Sequence, residues 1–253
     1  MSESVKPANN DTLTDVVLTA GKILLESGAE TYRIEDTMNR IGANFGYPDT
    51  YSFVTSTAII FTLNDDSNTK LIRIRERTTD LEKIALVNNI SRKIAAKSLT
   101  VDQAKRELNM LDRASLQFSF LLKCFGAAIA CGFFVFMFGG VASDFIYAVI
   151  AGGAAYLTFS YIQQYIQIKF FSEFVSAAVV ISIATIATNL GIAINQNIIT
   201  ISGVMPLVPG IVITNAIRDL MAGELLAGIS RGVEAALTSF AIGAGVAIVL
   251  LIF

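Results

Sequence analysis

Between residues 13 and 27 apolar side chains recur three and four positions apart, with Leu13, Val16, Val17, Ala20 and Leu24 on one helical face and Gly28 closing the run. A second helix follows. Ile34, Met38, Ile41 and Phe45 form its apolar stripe, Glu30, Arg33, Glu35, Asp36 and Arg40 occupy its other faces, and Gly46 and Pro48 end it. From Tyr51 the period changes to two, so that Tyr51, Phe53, Thr55, Thr57, Ile59, Phe61 and Leu63 point one way along a single strand. A turn at Asn64-Asp65-Asp66-Ser67-Asn68 leads into a second strand from Lys70 to Arg75, making a hairpin. Asp80 then caps a helix carrying Leu81, Ile84, Ala85 and Ile94, and Thr100 with Gln103 forms a capping box for a helix running to about Leu111. The expected order is ααββαα.

Beyond this the pattern changes to long apolar runs near residues 118–139, 142–162, 174–194, 197–217 and 232–253. A hydrocarbon core of about 30 Å takes about 20 helical residues, so each run is long enough to cross a bilayer. The expected fold class is therefore an α-helical membrane protein: five transmembrane helices over 116–253, preceded by a small cytosolic α+β domain over 1–115. The fourth span is interrupted at Val204-Met205-Pro206-Leu207-Val208-Pro209-Gly210. Pro206 cannot donate to the carbonyl of Ser202, nor Pro209 to that of Met205, which frees two acceptors where water is scarce. Two readings stand: a kinked helix whose carbonyls are met by side chains or neighbouring helices, or a discontinuous helix of a transporter. In the second, Pro209 opens a new half-helix and the N–H groups of Gly210 and Ile211 face an anionic substrate. Asn215 and Asp219 then share a face, as do Thr214 and Arg218.

Charge sets the orientation. Residues 1 to 116 hold 15 of the 19 Lys and Arg and 16 of the 21 Asp and Glu, dividing a polar part from a membrane part near Ser115. Lys123, Lys169, Arg218 and Arg231 all fall on the side of the N-terminal domain, which the positive-inside rule makes cytosolic, with Phe253 outside. MSESVKPANNDT has no apolar core and reads as no signal peptide. Asp144, Glu173, Arg218, Asp219, Glu224 and Arg231 lie mostly at expected span ends, where interfacial solvation accounts for them. Glu234 lies inside the last span and can carry a proton, meet Arg218 or Arg231, or snorkel. Ala235, Ser239, Gly243 and Ala247, four apart, form a close-packing seam for another helix of this chain or of a second one.

The chemistry excluded is as informative. There is no histidine, which removes Ser-His-Asp and Cys-His pairs and His-based zinc sites, and no phosphate-binding loop or nucleophile elbow occurs. No catalytic residue, cofactor or metal site is expected. Cys124 and Cys131, seven apart on one helix, read as small packing residues. A net charge of −2 without a basic block gives no case for nucleic acid.

Gly28-Ala29-Glu30-Thr31-Tyr32-Arg33-Ile34-Glu35-Asp36-Thr37-Met38 resembles the N-terminal signature of the threonine/serine exporter family. Met205-Pro206-Leu207-Val208-Pro209-Gly210, with Asn215, Arg218, Asp219, Gly228 and Glu234, resembles that family's first membrane half. The resemblance runs from about residue 12 to the end. It implies export of small polar carboxylates, threonine and serine in single-chain members and succinate in split ones. The second membrane half of the single-chain form is not present here, so the resemblance implies the larger subunit of a split exporter with a smaller membrane partner. Homo-oligomers stay open. In this reading Pro206, Pro209, Gly210, Ile211, Asn215 and Arg218 bind substrate, Asp219 or Glu234 takes the ammonium or the coupling proton, and Glu30, Arg33 and Glu35 mark the cytosolic motif. Two other classes compete. A membrane-anchored enzyme predicts turnover by residues 1 to 115 alone, and a non-transporting scaffold or sensor predicts that the Pro-Gly break tolerates helix-forming residues.

Overall fold

The structure is a computed structural model that describes residues 10–64, 68–115, 118–166, 168 and 170–252. The expectations for the N-terminal nine residues, for the turn residues Asp65, Asp66 and Ser67, and for Lys169 and Phe253 lie outside the described residues. The chain divides into two compact units, one formed by residues 1–117 with 214–232 and the other by 118–213 with 233–253.

In the first unit, α1 (Asn10–Glu26) is the central element. Its expected apolar face is buried, and so are Leu18, Ile23 and Leu25, because α2 (Thr31–Asn44), α3 (Leu81–Ala95) and α4 (Val101–Arg113) contribute to one core around it. Gly28, at φ +84°, ends the first helical run, and the last carbonyls of α1 are met by the N–H groups of Thr78 and Asp80, to Glu26 and Ser27 at 2.8 and 3.1 Å. The Asp80 cap and the Thr100–Gln103 capping box form as expected.

The expected first strand is in fact two. β1 (Tyr51–Val54) and β2 (Ala58–Thr62) pair antiparallel, and β3 (Lys70–Arg73) pairs with β2, giving a three-stranded sheet in the order β1-β2-β3 and the element order ααβββαα. The reversal is hidden in the alternation. Thr55, Ser56 and Thr57 form a tight turn in which the Thr55 side chain accepts from the Ala58 N–H at 3.0 Å. The turn also moves the buried face by one residue, so that Val54 is buried while Phe53 faces out, and Ile59, Phe61 and Leu63 return to the core.

The second unit contains α5 (Phe120–Met137), α6 (Ala142–Tyr165), α7 (Phe171–Asn189) and α8 (Gln196–Val204), with the first turn of α9 (Gly210–Met221) and most of α10 (Leu225–Ile252). Among the described residues four helices, α5, α6, α7 and α10, are long and apolar enough to cross a membrane, and α8 with α9 makes a fifth if that bent pair is one span. The bend at that break is 61°. Association inside a bilayer rests on close packing rather than on the hydrophobic effect, and the core of this unit is accordingly built on small residues such as Ala148, Ala151, Ala155, Ala177 and Ala184. Both cysteines are free thiols, and the Sγ of Cys131 lies 3.8 Å from the Gly203 carbonyl between packed helices.

One expectation is corrected here. The carbonyls released by the prolines are satisfied locally: residues 205–207 form a 3₁₀ turn, Ser202 accepts from the Met205 N–H, and Met205 accepts from the Val208 N–H at 3.2 Å. Shortening the bond from i+4 to i+3 selects a donor one residue before each proline. Of the row on α10 expected to meet a helix of this chain or of a second one, Ala235 is buried within this chain and the other three are not. Ser239, Gly243 and Ala247 are exposed, and a Cβ on Gly243 would meet nothing. The buried face runs through Ala241, Gly245 and Val249, and a Cβ on Gly245 would overlap the Phe174 carbonyl oxygen. Because that neighbour is backbone, Gly245→Ala is expected to destabilise the detergent-solubilised protein by about 1–3 kcal/mol. Gly243→Ala should leave the thermal midpoint unchanged, and equal midpoints for the two variants would remove this packing assignment.

Candidate functional site

The first turn of α2 begins at Glu30, whose own side chain makes no capping bond to the helix. The cap comes from far along the chain. The Oδ1 of Asp219 accepts from the Thr31 N–H at 3.0 Å and from the Thr31 hydroxyl at 2.9 Å, across 188 residues of sequence. A carboxylate at a helix N-terminus satisfies an orphan donor and meets the positive end of the helix dipole. The other oxygen, Oδ2, stands 3.1 Å from Nη1 of Arg231, and the two side chains are 0% and 3% exposed. Arg231 also donates through Nη2 to the Ala29 carbonyl at 2.8 Å.

Two further residues of α9 complete the cluster. Asn215, one turn before Asp219, donates through Nδ2 to the Gly28 carbonyl at 2.8 Å. Arg218 donates through Nη1 to Oε1 of Glu30 at 2.6 Å, and Arg33 stands 3.6 Å from the other oxygen of that carboxylate. The helical spacing of Asn215, Arg218 and Asp219 is what presents all three to the loop at residues 28–31. Arg231 reaches Asp219 because α9 and α10 turn tightly through Gly223, at φ +91°, and approach closely at Gly228. A Cβ on Gly228 would sit 2.6 Å from the Leu220 side chain and 3.0 Å from the Ala216 carbonyl. The β1–β2 turn joins the same assembly, with the hydroxyls of Ser56 and Ser230 2.9 Å apart.

Several expected site residues gain definite surroundings. Asp219 has both oxygens engaged, which makes it a fixed clasp between α9 and α2. Arg218 and Arg231 take Glu30 and Asp219 as their partners. Glu35 lies apart from the cluster and accepts from the Val54 N–H at 2.7 Å, tying α2 to β1. Gly210 donates to the Val208 carbonyl at 2.8 Å, and Pro209 accepts from the Ile213 N–H at 3.0 Å, so part of the polar backbone expected to meet an anion is used in closing the turn. Pro206, Gly210 and Ile211 are exposed and Pro209 is half-buried. Glu234 is half-buried on α10, where its carbonyl accepts from the Thr238 hydroxyl at 3.0 Å. Ser182 and Thr188 bond back to the Ala178 and Ala184 carbonyls of their own helix, each at 2.8 Å, while Thr185 accepts from Gln196 at 2.8 Å.

Asp144 has a role that span-end solvation did not foresee. It is fully buried, and its Oδ1 accepts from the Ile194 N–H at 2.8 Å while Oδ2 accepts from Nδ2 of Asn195 at 3.1 Å, holding the α7–α8 loop to the first turn of α6. Thr31 and Arg231 were likewise missed as site members. Thr31 stood inside a noticed motif with no role of its own, and Arg231 read as an orientation marker and as a partner open to Glu234. Among the described residues no group of three or more His, Cys, Asp or Glu is placed to hold a metal ion.

Residues 15–253 match the family model described as "Putative threonine/serine exporter". The chain belongs to this exporter family. It is also similar to the "Probable succinate transporter subunit YjjP" of Escherichia coli (strain K12), at 23% identity over 248 residues, covering 95% of this chain and 94% of that protein. No solved structure matches the chain. In this family member, a multi-pass membrane protein, Asn215, Arg218 and Asp219 of the second resembling set bond to Gly28, Glu30 and Thr31 of the first.

Removing one partner of a buried ion pair strands the other charge and costs about 3–5 kcal/mol. Arg231→Gln is therefore expected to lose most of the folded protein. Adding Asp219→Asn should recover a substantial part, since the amide oxygen still accepts from Thr31, and strictly additive losses in a double-mutant cycle would dissolve the pair. Burial pushes the Glu30 carboxyl up, but its own backbone N–H, the Arg218 hydrogen bond and the charges of Arg33 and Arg218 outweigh this and hold it below the usual carboxylate range. A depressed pKa stabilises fully above the unfolded value, and the contribution fades as pH falls through the folded one. Stability measured from pH 7 downward should thus drop more in the wild type than in Glu30→Gln once the pH passes below the ordinary glutamate value.

Proposed function

We propose that this chain is one subunit of a two-component secondary exporter that moves a small polar carboxylate out of the cytoplasm, with succinate as the favoured cargo. The observation that carries the reading is the clasp on α9. The helix that starts at the Pro-Gly break ends in Asn215, Arg218 and Asp219, and those side chains bond the Gly28–Thr31 loop. A broken helix used for transport needs a partner element that holds it in one arrangement and releases it in another. The α2 N-terminus has the chemistry for that, because the Thr31 N–H and hydroxyl both donate to Asp219.

In this reading Pro206 and Pro209 set the break, the Gly210 N–H closes the turn onto the Val208 carbonyl, and the start of α9 from Ile211 receives a substrate carboxylate. Asn215 and Arg218, further along the same helix, assist its capture. Arg218 keeps 54% of its side chain exposed while it holds Glu30, leaving donors available to a carboxylate. Ion coupling falls to Glu234, since both oxygens of Asp219 are engaged in the clasp. No nucleotide-binding motif occurs in the sequence, so the drive is an ion gradient. The positive-inside rule puts the N-terminal part in the cytosol. The name of the bacterial relative, matched over 94% of its length, supports both succinate and a subunit role, and a smaller membrane protein carrying the second half of the exporter is the implied partner. The family's own description favours threonine and serine, which keeps those zwitterions as a second reading.

The test is uptake of labelled succinate, threonine and serine by inside-out vesicles carrying this chain alone or with its smaller partner. Succinate uptake that requires both chains and a proton gradient is the expected result, threonine or serine uptake would reassign the cargo, and no flux with both proteins verified in the membrane would overturn the exporter reading. Pro206→Ala with Pro209→Ala should lower flux roughly tenfold or more, about 1.4 kcal/mol on the limiting step, without loss of protein from the membrane. Unchanged flux would remove the break from the mechanism.

A further inference from the structure

A cavity of about 160 Å³ opens between α2 and α3 in the first unit, and its lining is cationic. Arg33 and Arg40 stand on the α2 wall and Arg92 on the α3 wall, with Asp36 as the one carboxylate and Asn88 and Ser91 supplying uncharged polar groups. Three guanidinium groups against one carboxylate leave a formal excess of two positive charges. Asp36 is already bonded to Arg40, and Arg33 shares the Glu30 carboxylate at 3.6 Å with 55% of its side chain exposed. Arg92 is exposed and makes no ion pair with another described residue. Such an arrangement places like charges side by side with too few counter-charges inside the chain, and planar guanidinium donors suit the oxygens of carboxylate and phosphate.

The geometry points to a binding site for a small dianionic oxyanion, a dicarboxylate or inorganic phosphate, seated between Arg33, Arg40 and Arg92. Size limits the class. The cavity is far larger than the roughly 10–15 Å³ that one water needs and smaller than the roughly 300–1,000 Å³ of pockets for larger organic ligands, which leaves out nucleotides. Charge limits it too, since a zwitterionic amino acid brings an ammonium group into a field of excess positive charge. The site lies on a different face of α2 from the clasp but is joined to it by Arg33. An anion that draws Arg33 away from Glu30 leaves Arg218 as the neighbour of that carboxylate, so occupancy alters the ion cluster that holds α9. The cavity therefore acts as a sensing site for cytosolic anions, separate from the broken helix assigned to transport.

The experiment is calorimetric titration of the detergent-solubilised full chain with inorganic phosphate and, separately, succinate, at constant ionic strength set with chloride. Arg92 is exposed and outside the clasp, so Arg92→Gln should fold, and it is expected to weaken binding about tenfold or more, the scale of a lost charge-assisted bond. Arg106→Gln, which removes an exposed arginine away from the cavity, should leave binding unchanged. Phosphate or succinate binding that depends on Arg92 supports the site and identifies its ligand. Binding equally strong in Arg92→Gln, or no binding of either anion, overturns it. Succinate held at the broken helix would persist in Arg92→Gln, which separates this site from the transport site.

Discussion

The N-terminus of α2 presents N–H groups that its own cap residue leaves unserved, and much of the first unit follows from that deficit. Glu30 precedes the helix without a capping bond, and Asp219 supplies the acceptor from 188 residues away. For Asp219 to be there, α9 must present Asn215, Arg218 and Asp219 on one face and end before the turn at Gly223. The α9–α10 turn must then be tight enough, at Gly228, for Arg231 to neutralise the buried carboxylate. A capping bond that is normally local thus becomes a tertiary constraint, and the residues around it fasten the same loop, Arg231 through the Ala29 carbonyl, Asn215 through the Gly28 carbonyl and Arg218 through the Glu30 carboxylate.

The ionic balance within this cluster is uneven in a way that suits a switch. Asp219 and Arg231 are sealed from water, where separating them carries the full penalty of a bare buried charge. Glu30 is also buried, but it is shared between two arginines that are each more than half exposed, so one guanidinium can move away while the other still holds the carboxylate. The clasp has a rigid centre and an adjustable rim. The rim is where Arg33 links it to the cationic cavity on the other side of α2.

The second unit obeys a different rule, because lipid offers no alternative partner for a polar group. Several of its polar residues close short circuits: Thr158, Ser182 and Thr188 bond back one turn, Asp144 gathers the α7–α8 loop, and the 3₁₀ turn at 205–207 satisfies carbonyls the prolines would leave open, whereas the buried hydroxyls of Ser176 and Ser202 have no partner among the described residues. Tight helix contacts occur where a side chain is missing, at Gly245 against the Phe174 carbonyl and at Gly203 against Val180.

What the sequence determined by itself was governed by near neighbours. The helix stripes, the Asp80 cap, the Thr100–Gln103 box, the apolar spans and the break at Pro206 and Pro209 all depend on residues within one or two turns, and local periodicity reports them directly. The reversal at Thr55–Thr57 escaped because a tight turn between two strands of equal period leaves the alternation unbroken. On α10, spacing identifies rows of small residues, but which row meets a neighbour within the chain depends on helix rotation. Only the tertiary structure decided that Asp219 caps α2, that Arg231 is its counter-charge and that Arg33, Arg40 and Arg92 surround one cavity. A carboxylate on a helix face has the same sequence appearance whether it meets water, a proton or a distant N–H, and the choice is made by the element that folds against it.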